Sequence, residues 1–195
     1  IAAAPLQGSP APARAILRYL DARSAPPAAN QEPEGLRGGR LLGLEDLEAV
    51  ERDDEARRPD REVNLVLSGG MMSSAWTIGG QVYPDADPIE IRRGDRVRFR
   101  MRNMSMGLHP MHLHGHHMLV LSRDGDLVDG ALWLDTVDVR PGETWRVAFV
   151  ADNRGIWMDH CHNLEHAEAG MVMHLAYRGV TSPFDLGGTH GNAPE

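Results

Sequence analysis

Ten histidines, ten methionines and a single cysteine occur in 195 residues, and the histidines are not scattered. Five lie in His109-Pro110-Met111-His112-Leu113-His114-Gly115-His116-His117. Three more lie in His160-Cys161-His162-Asn163-Leu164-Glu165-His166. Only His174 and His190 stand apart. A lone histidine usually packs in a core or on a surface. Eight in two short segments, with the one cysteine inside the second, have the spacing of metal ligands. Imidazole and thiolate suit zinc, copper, iron and nickel. Structural zinc sites usually take two or more cysteines or a Cys₂His₂ set, which one cysteine cannot supply. A single thiolate with two imidazoles and a long axial methionine is the blue-copper arrangement. Cys161, His166 five residues on and Met171 ten residues on provide most of it, and the other segment can provide the second histidine.

The remaining histidines follow a second logic. In extended chain, alternate side chains face the same way. His160 and His162 then point to one side and Cys161 to the other, while His112 and His114 share a side. Two His-x-His pairs can converge on a second metal centre behind the first, joined to it by the backbone of Cys161.

The elements that must hold these residues read as strands. Candidates are residues 63–67, 95–103, 117–121, 133–139, 144–150, 155–160 and 171–177. A hairpin is expected over 76–83 through Gly79-Gly80. Residues 95–103 alternate well: Val97, Phe99 and Met101 face one way and Arg96, Arg98, Arg100 and Arg102 the other, a solvated arginine face. Asp124-Gly125, Pro141-Gly142 and Asp152-Asn153 punctuate the run. Many short strands with such turns argue for an antiparallel sandwich. Residues 21–60 are rich in Pro, Ala, Gly, Glu and Arg and read as a linker, with one short helix over 44–50. Residues 15–20 form an isolated strand or a helical turn, and 181–195 a loose tail.

Composition excludes several functions. Asp+Glu number 28 against 20 Lys+Arg, a net charge of −8, a poor match to nucleic acid or to an anionic membrane surface. No apolar run approaches the roughly 20 residues of a membrane span. One cysteine rules out an internal disulfide framework, a zinc ribbon and a Cys-x-x-Cys pair. The first ten residues lack a basic region and a long apolar core, so no signal peptide is expected there.

The motifs His-Pro-x-His-Leu-His-Gly-His and His-Cys-His-x3-His-x4-Met resemble those of the multicopper oxidases, the family of laccases, bilirubin oxidases and bacterial copper and manganese oxidases. The similarity covers residues 61–180 and points to the last cupredoxin domain, an all-β, cupredoxin-like Greek-key β-sandwich. Carried over by position, the resemblance implies a type 1 copper on His109, Cys161 and His166 with Met171 axial. It implies a type 2 copper on His112 and a type 3 pair on His114, His160 and His162. His116 supports a ligand without being one, and His117, His174 and His190 are structural. Cys161, His160 and His162 would carry electrons between the centres, with His109 or His166 near the surface receiving them.

The family's trinuclear cluster uses eight histidines, four from each of two domains, and no histidine precedes His109. The resemblance therefore implies a partner, the amino-terminal cupredoxin portion of the same oxidase, with four further histidines. Residues 1–20 would close a preceding domain and 21–60 link it to the last. O₂ and a small reducing substrate are the expected reactants, and the periplasm or the exterior the expected location. A nitrite reductase is the nearer competitor, but there alanine follows the cysteine and here His162 does. A one-copper electron-transfer module without oxidase activity is the alternative of a different class. Some bacterial relatives have a glutamate directly after the second blue-copper histidine. Here that position is Ala167, and Asp159, Glu165 and Glu168 read as solvated acids. Met101 reads as core, while Met104 and Met106, in the loop before His109, are the better candidates for Cu(I). Asp135-Thr136-Val137 matches a short family string and is expected to brace the site.

Overall fold

The computed structural model describes residues 2–3, 13–16, 18–21, 23–28, 31, 39–40, 42–52, 55–70 and 74–183. The chain divides into two units, residues 1–42 and 43–195. In the first, β1 (Ala2–Ala3) pairs antiparallel with β2 (Ala13–Arg14). The regular stretch expected over 15–20 is not formed at its described positions, and residues 184–195 and His190 lie outside the described residues.

The second unit is a two-sheet sandwich. One sheet contains β3 (Arg61–Gly69), β4 (Trp76–Ile78), β6 (Arg96–Asn103), β8 (Met118–Arg123), β9 (Asp126–Leu127), β10 (Trp133–Leu134) and β12 (Thr144–Val150), in the order β10-β8-β12-β6-β3-β4 with β9 on β8. The other contains β5 (Ile89–Ile91), β7 (His109–Leu113), β11 (Thr136–Val139), β13 (Ile156–Cys161) and β14 (Val172–Tyr177), in the order β11-β7-β13-β14-β5. The only α-helix among the described residues, α1 (Leu164–Glu168), follows β13. No described helix is long and apolar enough to cross a membrane.

Alternation decides the interior. Val97, Phe99 and Met101 of β6 are buried, as are Trp145, Val147 and Phe149 on β12 and Met111 and Leu113 on β7. Full burial of side chains of this size contributes about 1.5–3 kcal/mol each. Cys161 and Met171 belong to the same cluster, so the metal-ligating candidates sit at one end of the core. β8 is apolar without alternation because both its faces are covered. Met118 and Val120 enter the main core, while Leu119 and Leu121 pack with Ala56, Ala131 and Ala148 on the outer face.

Several expectations are corrected. The sheets are mixed, not antiparallel throughout: β3 runs parallel to β6 and β14 to β5. In each case the two strands are far apart in sequence, and parallel pairing needs such long connections. The parallel β3–β6 register also gives the arginines partners: Arg96 bonds Asp60, and Arg98 bonds Glu62 at 3.0 Å. The 76–83 hairpin is absent. Ile78 and Gln81 form one isolated bridge, and β4 pairs instead with β3. Residues 133–139 break at Asp135 into β10 and β11, which belong to different sheets. The helix over 44–50 is only a 3-10 turn, Leu44–Asp46.

Candidate metal centre

Two donor groups lie on opposite sides of the β7–β13 ladder. These strands pair with His160 opposite His112 and Cys161 opposite Met111. On β7, His109, Met111 and Leu113 point inward and His112 outward. On β13, Cys161 is fully buried and His160 points the other way, as alternation requires.

On the inner side, one ligand atom from each of His109, Cys161 and His166 lies within 4.8 Å of the other two. Cys161 Sγ is 3.6 Å from Nδ1 of His109 and 3.6 Å from Nδ1 of His166, and the two Nδ1 atoms are 3.1 Å apart. α1 brings His166 to this point, and its first residues follow Asn163, whose carbonyl accepts from the amide of His166. Met171 is fully buried. Its N–H donates to the carbonyl of His166, and its carbonyl accepts from Cys161 N–H. Trp76 walls the site, stacking on His166 at 3.9 Å and meeting His109 edge-on at 5.2 Å. That approach requires glycine at position 70, where a Cβ would come within 2.5 Å of the indole. His109 is 0% and His166 9% exposed, so His166 alone of the two reaches the surface. Met104, Met106 and Leu108, which precede His109 in sequence, are exposed, and Met101 is core.

Burial lowers the affinity of His109 for a proton to a pKa of about 4, helped by the neighbouring His166. The same burial pushes the Cys161 thiol up to about 11, against a backbone hydrogen bond from Asn163 and with a smaller push from Asp159. Asp159 is 2% exposed, which corrects its reading as a solvated acid. Its Oδ2 has no hydrogen-bond partner among the described residues, and burial raises its carboxyl to about 7. Glu165 and Glu168 are exposed as expected.

On the other side, four imidazoles gather. Ring centroids of His112 lie 4.7 Å from His114, 5.7 Å from His160 and 5.8 Å from His162. His160 is 5.2 Å from His114 and 5.6 Å from His162. Nδ1 of His112 donates to the carbonyl of Asp135 at 3.0 Å, with Thr136 Oγ1 also at 3.0 Å. Nδ1 of His160 donates to the carbonyl of Cys161 at 3.0 Å. Both rings therefore keep their Nε2 lone pair, and His114 Nε2–H donates to that of His160 at 3.1 Å. Burial, then the neighbouring imidazoles, lowers the pKa of His114. The Asp-Thr-Val string touches His112 directly. His116 is buried against Tyr177, with Nε2 2.7 Å from the phenol oxygen and Nδ1 donating to the carbonyl of His114 at 3.4 Å. Gly115 has φ +73°, and a Cβ there would meet the Trp157 ring at 2.3 Å. His117 is exposed, and His174 lies on β14 near the Tyr83 ring.

Residues 56–179 match the multicopper oxidase family model. The chain belongs to the multicopper oxidase family. It is 36% identical to multicopper oxidase MmcO of Mycobacterium tuberculosis over 88% of this chain and 33% of that protein. It is 35% identical to copper resistance protein A of Escherichia coli over 78% of this chain and 25% of that protein. The chain thus spans a third or less of the length of these relatives. Among solved structures, the blue copper oxidase from Nitrosomonas europaea is similar with a TM-score of 0.60 and 27% identity, over 68% of this chain and 49% of that one. The McoA multicopper oxidase from Aquifex aeolicus gives a TM-score of 0.55 and 31% identity, over 67% and 31%. The all-β, cupredoxin-like sandwich expected from the motifs is therefore the fold of this chain, and copper the cofactor its family implies. The donors fit that metal: one buried sulfur between two imidazole nitrogens on the inner side, and on the outer four clustered imidazoles, of which His112 and His160 are held through Nδ1 with their Nε2 lone pairs directed into the group.

Proposed function

We propose that this chain is the carboxy-terminal part of a laccase-like multicopper oxidase. His109, Cys161, His166 and Met171 would hold a type 1 copper. His112 holds the type 2 copper and His114, His160 and His162 contribute to the type 3 pair. An amino-terminal cupredoxin portion supplies four further histidines. Residues 1–20 close that preceding domain, 21–60 connect it, and 61–180 form the last domain. The assembled oxidase oxidises a small phenolic, aromatic or metal-ion donor one electron at a time. Four electrons and four protons convert O₂ to two waters. Export to the periplasm or beyond accompanies this reading.

One observation carries it: at His160-Cys161-His162, the sulfur joins His109 and His166 on one side of the strand while its neighbours join His112 and His114 on the other. Bound copper supplies the reversible one-electron chemistry that side chains lack. The chain's own residues do the rest. Cys161 provides the sulfur donor, and its backbone links both donor sets through a few covalent bonds. Asp135, Thr136 and the carbonyl of Cys161 orient His112 and His160 through their Nδ1 atoms, the support that metal-binding imidazoles usually receive. Trp76 and the core keep water from Cys161, while His166 is the ring that an external donor can approach.

The rival reading, a one-copper electron-transfer module, has one observation behind it: among the described residues only His109, Cys161 and His166 form a compact donor set. Coexpression with an amino-terminal cupredoxin portion separates the two. The oxidase reading expects O₂ uptake with a phenolic donor, abolished by Cys161→Ser. A blue protein that consumes no O₂ would favour the module, and a colourless one that consumes none would refute both.

A further inference from the structure

His109 is held at both ends. Its Nδ1 faces the metal-ligating atoms of Cys161 and His166, and its Nε2 lies 2.7 Å from Ser105 Oγ. Behind Ser105 stands Asn103, and the direction of every bond between them is forced. Asn103 Nδ2 donates to the carbonyls of Gly107 at 2.7 Å and Val139 at 2.9 Å. Only an NH₂ group can serve two carbonyls, so the oxygen of the amide faces Ser105. It accepts from Ser105 N–H at 2.8 Å and from Ser105 Oγ–H at 2.9 Å. The Gly107 carbonyl, 3.5 Å from Oγ, is too far to compete for the hydroxyl proton, so with that proton donated to Asn103 at 2.9 Å, Oγ accepts elsewhere. It accepts from Gly107 N–H at 3.1 Å, and its remaining lone pair faces His109. The proton between them must then belong to the ring.

We propose that Asn103 and Ser105 lock His109 in the Nε2–H tautomer, so that Nδ1 is presented as a ready metal donor. Asn103, Ser105 and His109 are all buried, at 0%, 4% and 0% exposure, and the network has no unsatisfied member. Burial matters because a polar group left without a partner there costs about 1–3 kcal/mol. His112 and His160 are held in the opposite sense, each donating through Nδ1 to a carbonyl. One domain thus carries imidazoles of both tautomers, each set by a dedicated group. His166 is different again. Asn163 Nδ2 donates to its Nε2 at 3.2 Å and its own Nδ1–H donates to His109 Nδ1 at 3.1 Å. An amide facing a single nitrogen can turn over when the ring changes tautomer. At His109 the amide cannot turn, because reversing Asn103 would oppose its oxygen to two carbonyls, and turning the Ser105 hydroxyl towards the ring would leave two oxygens facing each other at 2.9 Å with no proton between them. His109 is accordingly the preset ligand and His166 the adaptable one. Ser105 and Asn103 are positioning residues, acting on the metal through the ring.

The inference deepens the proposed function and rests on it only for the identity of the metal. Its test is read first without metal, by long-range proton–nitrogen correlation of the histidine rings in the full chain at neutral pH. His109 is expected as Nε2–H, with His112 and His160 as Nδ1–H in the same spectrum. A His109 ring protonated at Nδ1 would overturn the lock. In Ser105→Ala the acceptors left to His109 are all on the Nδ1 side, so the ring proton is expected to move there. A variant ring that stays Nε2–H would also overturn it. Ser105→Cys, with a weak acceptor of similar size, carries the same test should the alanine variant not fold, and Ser105→Thr is expected to restore the wild-type tautomer. Cu(II) affinity of the switched variant is expected to fall by about 10–100-fold. Unchanged affinity with a switched ring would refute the link to the metal. A wild-type chain showing the Nε2–H ring yet binding no copper would sink the function and leave the lock standing.

Discussion

Cys161 is buried as a thiol, and that fixes how metal uptake depends on acidity. Its pKa is raised to about 11 while that of His109 is lowered to about 4. At neutral pH the imidazole has no proton to lose and the sulfur has one. Uptake must therefore release the thiol proton, and Cu(II) affinity should rise about tenfold per pH unit up to the thiol pKa. Calorimetry in buffers of different ionisation enthalpy measures this; a binding reaction that releases no proton would contradict it. Met171 belongs to the same scale. In the proposed type 1 site its sulfur would lower the reduction potential relative to a side chain that does not coordinate. Met171→Leu should raise the potential in a redox titration, and an unchanged potential would show that Met171 is not the axial group. That these candidate donors come together was readable because chemistry constrains residue type and alternation constrains direction. Asp159 misled for the converse reason. An acid beside two imidazoles looks solvated in sequence, and only the packing of Leu113 and Met173 across from it puts it inside.

At the scale of elements, Glu143 ties β12 to its neighbours. Its carboxylate accepts from Trp145 Nε1 at 3.0 Å, from the N–H of Arg140 at 3.0 Å and from Arg123. Burial pushes its pKa up, but these bonds outweigh it and hold the carboxyl below its ordinary 4.5. A depressed carboxylate stabilises the fold above its ordinary pKa and loses that contribution as pH falls through the depressed value. Glu143→Gln should cost about 1–3 kcal/mol near neutrality. The gap to wild type, followed by denaturant melts across pH, should close in acid; a gap constant to the lowest pH would exclude this role. Such a residue was invisible in the sequence, since nothing marks one glutamate among many as the acceptor of three donors. The strands were more legible. Residues 144–150 and 95–103 alternate, and they form β12 and β6 nearly as read. Residues 133–139 also alternate, yet they split between sheets, because local period does not report which sheet a strand joins. α1 was missed because five residues are too few for a helical period to register.

For the whole molecule, the two donor sets differ in completeness. The inner set lies entirely within the chain; the outer one offers four imidazoles on one face. The chain alone should hold a single copper firmly, and the chain joined to its amino-terminal portion about four, the complement of a type 1 and a trinuclear centre in the proposed function. Metal analysis after exhaustive dialysis distinguishes these; full loading of the isolated chain would refute the shared cluster. A last consequence concerns the segment between β13 and β14. Cys161, His166 and Met171 all belong to it, and it is stitched shut by Cys161 N–H on the carbonyl of Met171 and Met171 N–H on that of His166. Three of the four donors in the proposed inner site thus travel together as one removable cassette. Transplanting a foreign loop between those two stitches should change the colour and potential of the metal while leaving the host scaffold, and the fourth donor waiting in it, untouched.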